Sequence, residues 1–161
     1  MHCYGPRITV LGIGNLLLKD EGVGIHLVQQ LEDKINSENI NIVDSGTLPD
    51  ILSLIDDNVD KLIIVDAVKA GNEPGTIYRL NLDELDSNST APISLHEIGV
   101  VDSLRMMALL HREPGSTVII GIEPKTIDYG LELSPEVERK LPEVTTLIFE
   151  EIDRTNKEIW R

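Results

Sequence analysis

The sequence predicts an α/β fold built on a mostly parallel sheet, and three observations carry that prediction. Apolar, largely β-branched runs recur along the chain: ITVLG at 8–12, LIIV at 62–65 and VIIGI at 118–122. Such runs fit strands covered on both faces. Segments with apolar residues at helical spacing lie between them, and strand–helix alternation is the pattern of a parallel sheet layered between helices. The length of 161 residues suits a single core. With no repeats, low-complexity tracts or linker, residues 1–161 read as a single domain.

Each element has its own justification. Arg7–Gly12 is a buried strand, and Gly22–Asn36 a helix with Val23, Leu27, Val28, Leu31 and Ile35 on one face. Ile40–Asp44 is a second strand. Gly46-Thr47 turns the chain into a short helix over Leu48–Asp57. Lys61–Ala67 reads as a mid-sheet strand. The break at Gly71–Gly75 is too short for a helical crossover, so Thr76–Asn81 is expected to run antiparallel to Lys61–Ala67. Leu82–Leu95 reads as a loop, Glu97–His111 as a helix, Ser116–Ile122 as a strand and Lys125–Leu133 as a loop. Ser134-Pro135-Glu136 starts a helix, with Ser as cap and Pro at the first helical position. Pro142 is expected to kink or break the helix that follows.

Composition narrows the function. A net charge of −14 disfavours nucleic acid and anionic lipid as partners. The apolar runs are too short to span a bilayer, and Met1–Arg7 carries no export signal. The single cysteine, Cys3, excludes an internal disulfide and points to a reducing, cytoplasmic setting.

The chemistry-bearing residues gather at the carboxyl ends of the strands, where open α/β sheets bind ligands. The first strand runs into GIGNLLLKDEGVG. Glycine-rich turns before a helix usually cradle phosphate, but Asp20 and Glu21 would repel a phosphate and attract a cation. Strand two ends in Asp44, followed by Ser45-Gly46-Thr47. Strand three ends in Asp66, and His96 precedes the third helix. Carboxylates and one imidazole with a vacant position make an open O,O,N site for Zn²⁺, Ni²⁺ or a similar ion. Each residue also has a plainer reading. Asp20 and Glu21 suit a helix N-terminus, Asp44 and Asp66 suit turns, and His96 suits a helix entry.

Two other chemistries fit less well. Gly12-Ile13-Gly14 matches the first half of a dinucleotide fingerprint, but Leu17 stands at the third glycine position. Asp44 follows Gly14 by 30 residues, against roughly 20 for a ribose-binding acid. A Rossmann-type nucleotide-binding enzyme is therefore the alternative reading. Nucleophilic catalysis lacks an elbow motif, since Ser94 is merely two residues from His96. His2, His26 and His111 read as structural or solvent-facing.

The pieces GIGNLLLKDEGVG, DSGT, LIIVDA, GTIYRL, SLHEIG and GIEPK occur in the order and spacing of the [NiFe]-hydrogenase maturation endopeptidases, and nearly the whole chain resembles that family. The resemblance implies a three-layer α/β/α sandwich with a five-stranded sheet, order 2-1-3-5-4, strand four antiparallel. It implies metal ligation by Glu21, Asp66 and His96, with Asp44 as a further acid of the site. The turn reads Asp-Glu where many members have Asp-Asp. It also implies removal of a C-terminal extension from a hydrogenase large-subunit precursor after nickel insertion, with nickel carried by the substrate and zinc or cadmium substituting in the isolated protein. On this reading the protein is a nickel-dependent aspartic-type or metallo-endopeptidase and a monomer. Gly12, Gly14, Asn15, Gly46 and Thr47 would receive the extended tail. A non-catalytic nickel-dependent assembly factor is the remaining alternative.

Overall fold

The computed structural model describes residues 5–47, 50–82 and 95–159, the helical backbone alone at 95–98. His2, Cys3, Ser94 and nearly all of the predicted loop over 82–95 lie outside the described residues, as does the His96 side chain.

Five strands, β1 (Ile8–Gly12), β2 (Ile40–Asp44), β3 (Lys61–Ala67), β4 (Ile77–Asn81) and β5 (Ser116–Ile122), form one sheet in the order β2-β1-β3-β5-β4. The pairs β1–β2, β1–β3 and β3–β5 are parallel, and β4 is antiparallel to β5. Thr76–Asn81 thus runs antiparallel to Lys61–Ala67 as expected, on the edge beside β5, and the sheet order is the 2-1-3-5-4 that the family resemblance implies. The helices are α1 (Val23–Glu32), α2 (Ile51–Leu54), α3 (Leu95–Leu109), α4 (Pro135–Glu138) and α5 (Leu141–Ile159).

Strand alternation splits the core into two layers. Ile8, Val10, Ile63, Val65, Val118 and Ile120 pack beneath α1, α4 and α5. Leu11, Leu62, Ile64 and Ile119 pack beneath α2 and α3 through Ile51, Val100, Leu104 and Met107. The chain leaves β1 through α1 toward β2 on one face, then returns through α2 toward β3 on the other. The carboxyl ends of β1 and β3 therefore flank a switch point, where such sheets open a crevice.

The predicted C-terminal helix divides into α4 and α5 just before Pro142. Pro142 occupies the first turn of α5, where an N–H has no helical partner and its loss costs nothing. Ser134 precedes α4 with extended backbone but makes no side-chain cap, and its hydroxyl is used elsewhere.

One buried charge ties α5 to the sheet. Glu151 meets Lys61 at 3.5 Å, Arg154 at 3.3 Å, and Arg79. Burial pushes its pKa up, but the Arg79 hydrogen bond and the charges of Arg79, Lys61 and Arg154 prevail and hold it below the ordinary 4.5. A depressed carboxylate stabilises the fold above its unfolded pKa, and that contribution fades as pH falls through the folded value. Glu151→Gln should cost about 2 kcal/mol at pH 7, less than for a fully buried pair because two arginines are part-exposed. In urea titrations the gap from wild type should begin to narrow below pH 4.5 and close as pH falls through the lower folded value, where both proteins become neutral at this position.

Candidate functional site

The crevice at the switch point is built by close backbone approach. An ideal Cβ on Gly24 of α1 would lie 2.3 Å from the Val65 carbonyl oxygen of β3 and 2.4 Å from that of Ile13. One on Gly12 would lie 2.4 Å from the Gly24 carbonyl. The start of α1 can therefore rest directly on the ends of β1 and β3. Gly12 and Gly14 are buried, and the room their missing side chains leave is taken by Gly24, Val28 and the Glu21 carbonyl. Their small size serves this packing, a use the sequence reading gave to an incoming tail.

The two adjacent acids have different fates. Asp20 is fully buried. Its Oδ2 accepts hydrogen bonds from the Lys125 and Thr126 N–H groups, both at 2.9 Å, and from the Ser134 hydroxyl at 2.7 Å. Its Oδ1 accepts the Ser134 N–H at 2.7 Å. This explains why Ser134 does not cap α4. Asp20 is a pin between the loop after β1 and the segment after β5. Glu21, the next residue of the same 3-10 turn (Lys19–Gly22), is half-buried. The turn holds it in place: its N–H donates to the Leu18 carbonyl at 3.2 Å and its carbonyl accepts from Asn15 N–H at 3.3 Å.

Asp66 is 1 % exposed at the carboxyl end of β3. Its Oδ1 accepts the Ala67 N–H at 2.8 Å, which fixes the carboxylate plane. Alternation along β3 puts it with Leu62 and Ile64, on the face that α3 covers. His96 lies in the first turn of α3. Leu104 and Ala108, near the other end of this helix, share a groove with Pro114 and Thr117 at the start of β5. The first turn therefore lies toward the carboxyl ends of the strands, the end that carries Asp66. Among the described residues no three His, Cys, Asp or Glu side chains form a metal-holding group; the predicted trio includes His96, whose side chain is outside them.

Asp44 serves its own turn. Its Oδ1 accepts the Gly46 N–H at 2.9 Å, and Gly46 takes a left-handed φ of +59°. The turn is also fastened to β1, since Ser45 donates to the Gly12 carbonyl from both N–H and hydroxyl, and Gly14 N–H donates to the Gly46 carbonyl at 3.0 Å. Space beside Gly46 is open, Thr47 is exposed and Asn15 is half-buried. Asn15 lies in the loop after β1, and Gly46 and Thr47 in the turn after β2. His111 lies just past the far end of α3.

Sequence reasoning gave Ser134 a cap's role in place of its bond to Asp20, and it missed Glu123, whose buried carboxylate holds the turn after β3. Glu123 accepts the Ala70 N–H at 2.7 Å, the Gly71 N–H at 3.1 Å and the Tyr78 hydroxyl at 2.8 Å. No local pattern shows the role of either residue, because their partners are 45 to 114 positions away. Among the described residues no helix is long and apolar enough to cross a membrane.

Known proteins share this architecture. The family model described as hydrogenase maturation protease matches residues 25–151, a span that contains Asp44, Asp66 and His96 and begins just after Glu21. The hydrogenase 2 maturation protease of Escherichia coli is 37% identical over 136 residues, covering 82% of each chain. Among solved structures, the hydrogenase maturating endopeptidase HybD of E. coli superimposes with a TM-score of 0.81 at 31% identity, covering 92% of this chain and 93% of that one. The [NiFe] hydrogenase maturation protease HybD of Thermococcus kodakarensis gives a TM-score of 0.74 at 29% identity, covering 89% and 97%. Sequence and structure agree over most of the chain: it belongs to the hydrogenase maturation protease family, and its activity is that of an endopeptidase in hydrogenase maturation.

Proposed function

We propose that this endopeptidase removes the C-terminal extension of a [NiFe]-hydrogenase large-subunit precursor after nickel insertion, and that it reads the nickel carried by that substrate. The observation behind the proposal is the arrangement at the switch point. A buried Asp66 lies at the carboxyl end of β3 on the face covered by α3, the helix whose first turn carries His96, and Glu21 stands on a pinned turn packed against β3. Glu21 and Asp66 would offer oxygen and His96 nitrogen to the substrate's nickel, leaving room for the precursor's own ligands. A nickel ion held there would polarise the scissile carbonyl or activate a water beside it. Asn15, Gly46 and Thr47 border the path of the tail, and Asp44 keeps their turn in shape. The protein acts in the cytoplasm, as a monomer.

The test is mass spectrometry of the large subunit after incubation with the protein. Nickel-loaded precursor should lose its tail and nickel-free precursor should not. Glu21→Gln and His96→Ala should each slow processing by about 10²–10³-fold, with melting temperatures close to wild type. Normal tail removal by either variant would refute the ligand assignment. An unchanged subunit mass with wild-type protein would favour an assembly factor instead.

A further inference from the structure

Three large apolar side chains stand out in solvent beside the crevice. Leu17 is 62%, Tyr129 86% and Leu131 65% exposed, in a chain whose net charge is −14. They come from segments more than a hundred residues apart, yet the backbone stitches them together. Gly130 N–H donates to the Leu17 carbonyl at 2.9 Å and Lys19 N–H to the Gly130 carbonyl at 3.0 Å, a parallel bridge between Leu18 and Gly130. The Asp20 pin anchors the same two segments at Lys125, Thr126 and Ser134. Scattered surface leucines need no explanation, but apolar groups gathered on one braced rim mark an interaction surface.

We infer that Leu17, Tyr129 and Leu131 form a docking platform for the folded body of the hydrogenase precursor, while its tail enters the crevice. This inference rests on the protease reading above. Continuity with the crevice favours that occupant. Leu17 N–H donates to Asn15 Oδ1 at 2.9 Å, and Leu17 lies between Asn15 and Glu21 in one turn. On this inference the residues that precede a tail reaching Glu21 lie over this rim. A second copy of the chain is disfavoured, because each copy carries a net charge of −14. Rigid backbone bracing also reduces the ordering cost of association.

The experiment compares wild type, the triple variant Leu17→Ser/Tyr129→Ser/Leu131→Ser, and a control, Met106→Ser/Leu109→Ser, on exposed apolar residues of α3. Affinity for intact nickel-loaded precursor is measured by calorimetry, cleavage by mass, and self-association by sedimentation. The triple variant should bind the precursor at least tenfold more weakly and show a matching rise in KM with a smaller change in kcat. The control should match wild type. Equal affinity of the triple variant and wild type would overturn the platform while leaving the protease reading intact. Wild type that binds but never shortens the precursor would sink the protease reading, and the platform would then stand or fall on the affinities alone. Wild-type dimers that the triple variant abolishes would reassign the patch to self-association and overturn the inference.

Discussion

Asp20→Ala is expected to lower the unfolding free energy by about 4 kcal/mol. Three backbone N–H groups and one hydroxyl now end on a single carboxylate with no solvent exposure. Removing the carboxylate strands all four donors, and each buried unsatisfied donor costs about 1–3 kcal/mol before relaxation. Water entering the new space and movement of the surface loop recover part of that sum. For a domain of this size the loss is roughly a 10 °C fall in melting temperature, readable by calorimetry. Activity should fall as well, because the turn that carries Glu21 loses its anchor. The neighbouring Glu21→Gln should leave the melting temperature within about 2 °C, since a half-exposed side chain changes shape little. Two adjacent acids thus separate cleanly: one variant unfolds early, the other folds normally and does not cut. Equal melting temperatures for the two would contradict the pin.

Gly24→Ala carries the other large effect. In an isolated helix the change would stabilise by about 1 kcal/mol. Here the added methyl would lie 2.3 Å and 2.4 Å from two strand-end carbonyl oxygens. One belongs to β3 and the other to the residue just past β1, both backbone, which cannot yield as a side chain can, so α1 must lift. Overpacking of this kind costs about 3 kcal/mol after the helix gain. Lifting α1 also moves the adjoining Lys19–Gly22 turn, so processing should fall along with stability. Denaturant titration beside the cleavage assay checks both. A variant as stable as wild type would mean that the helix is not seated on the strand ends.

What the chain reveals before folding follows from the range of each interaction. Lys61–Ala67 and Ser116–Ile122 were legible to the residue, because a strand covered on both faces must be apolar throughout. The reversal of Thr76–Asn81 was legible from the shortness of Gly71–Gly75; its place beside β5 came from the family resemblance, since nothing local distinguishes β3 from β5 as a neighbour. The rim acids were legible as a group through their common position after strands. Their division of labour was hidden. Asp20 and Glu21 look alike in residue pattern; the resemblance singles out Glu21, and the N–H groups of residues 125, 126 and 134 reveal what Asp20 does. Ser134 was misread for the same reason: its local pattern is that of a helix cap, and a carboxylate 114 positions earlier takes its hydroxyl.

That long reach has a consequence for how the protein comes into being. The first two-thirds of the chain hold β1, β2, β3 and β4, yet the carboxylate at position 20 has nothing to grip until residues 125–134 leave the ribosome. Closing so wide a loop is slow and comes late. A nascent enzyme can therefore own every cutting residue and still be blunt, sharpening only once residues 125–134 have emerged.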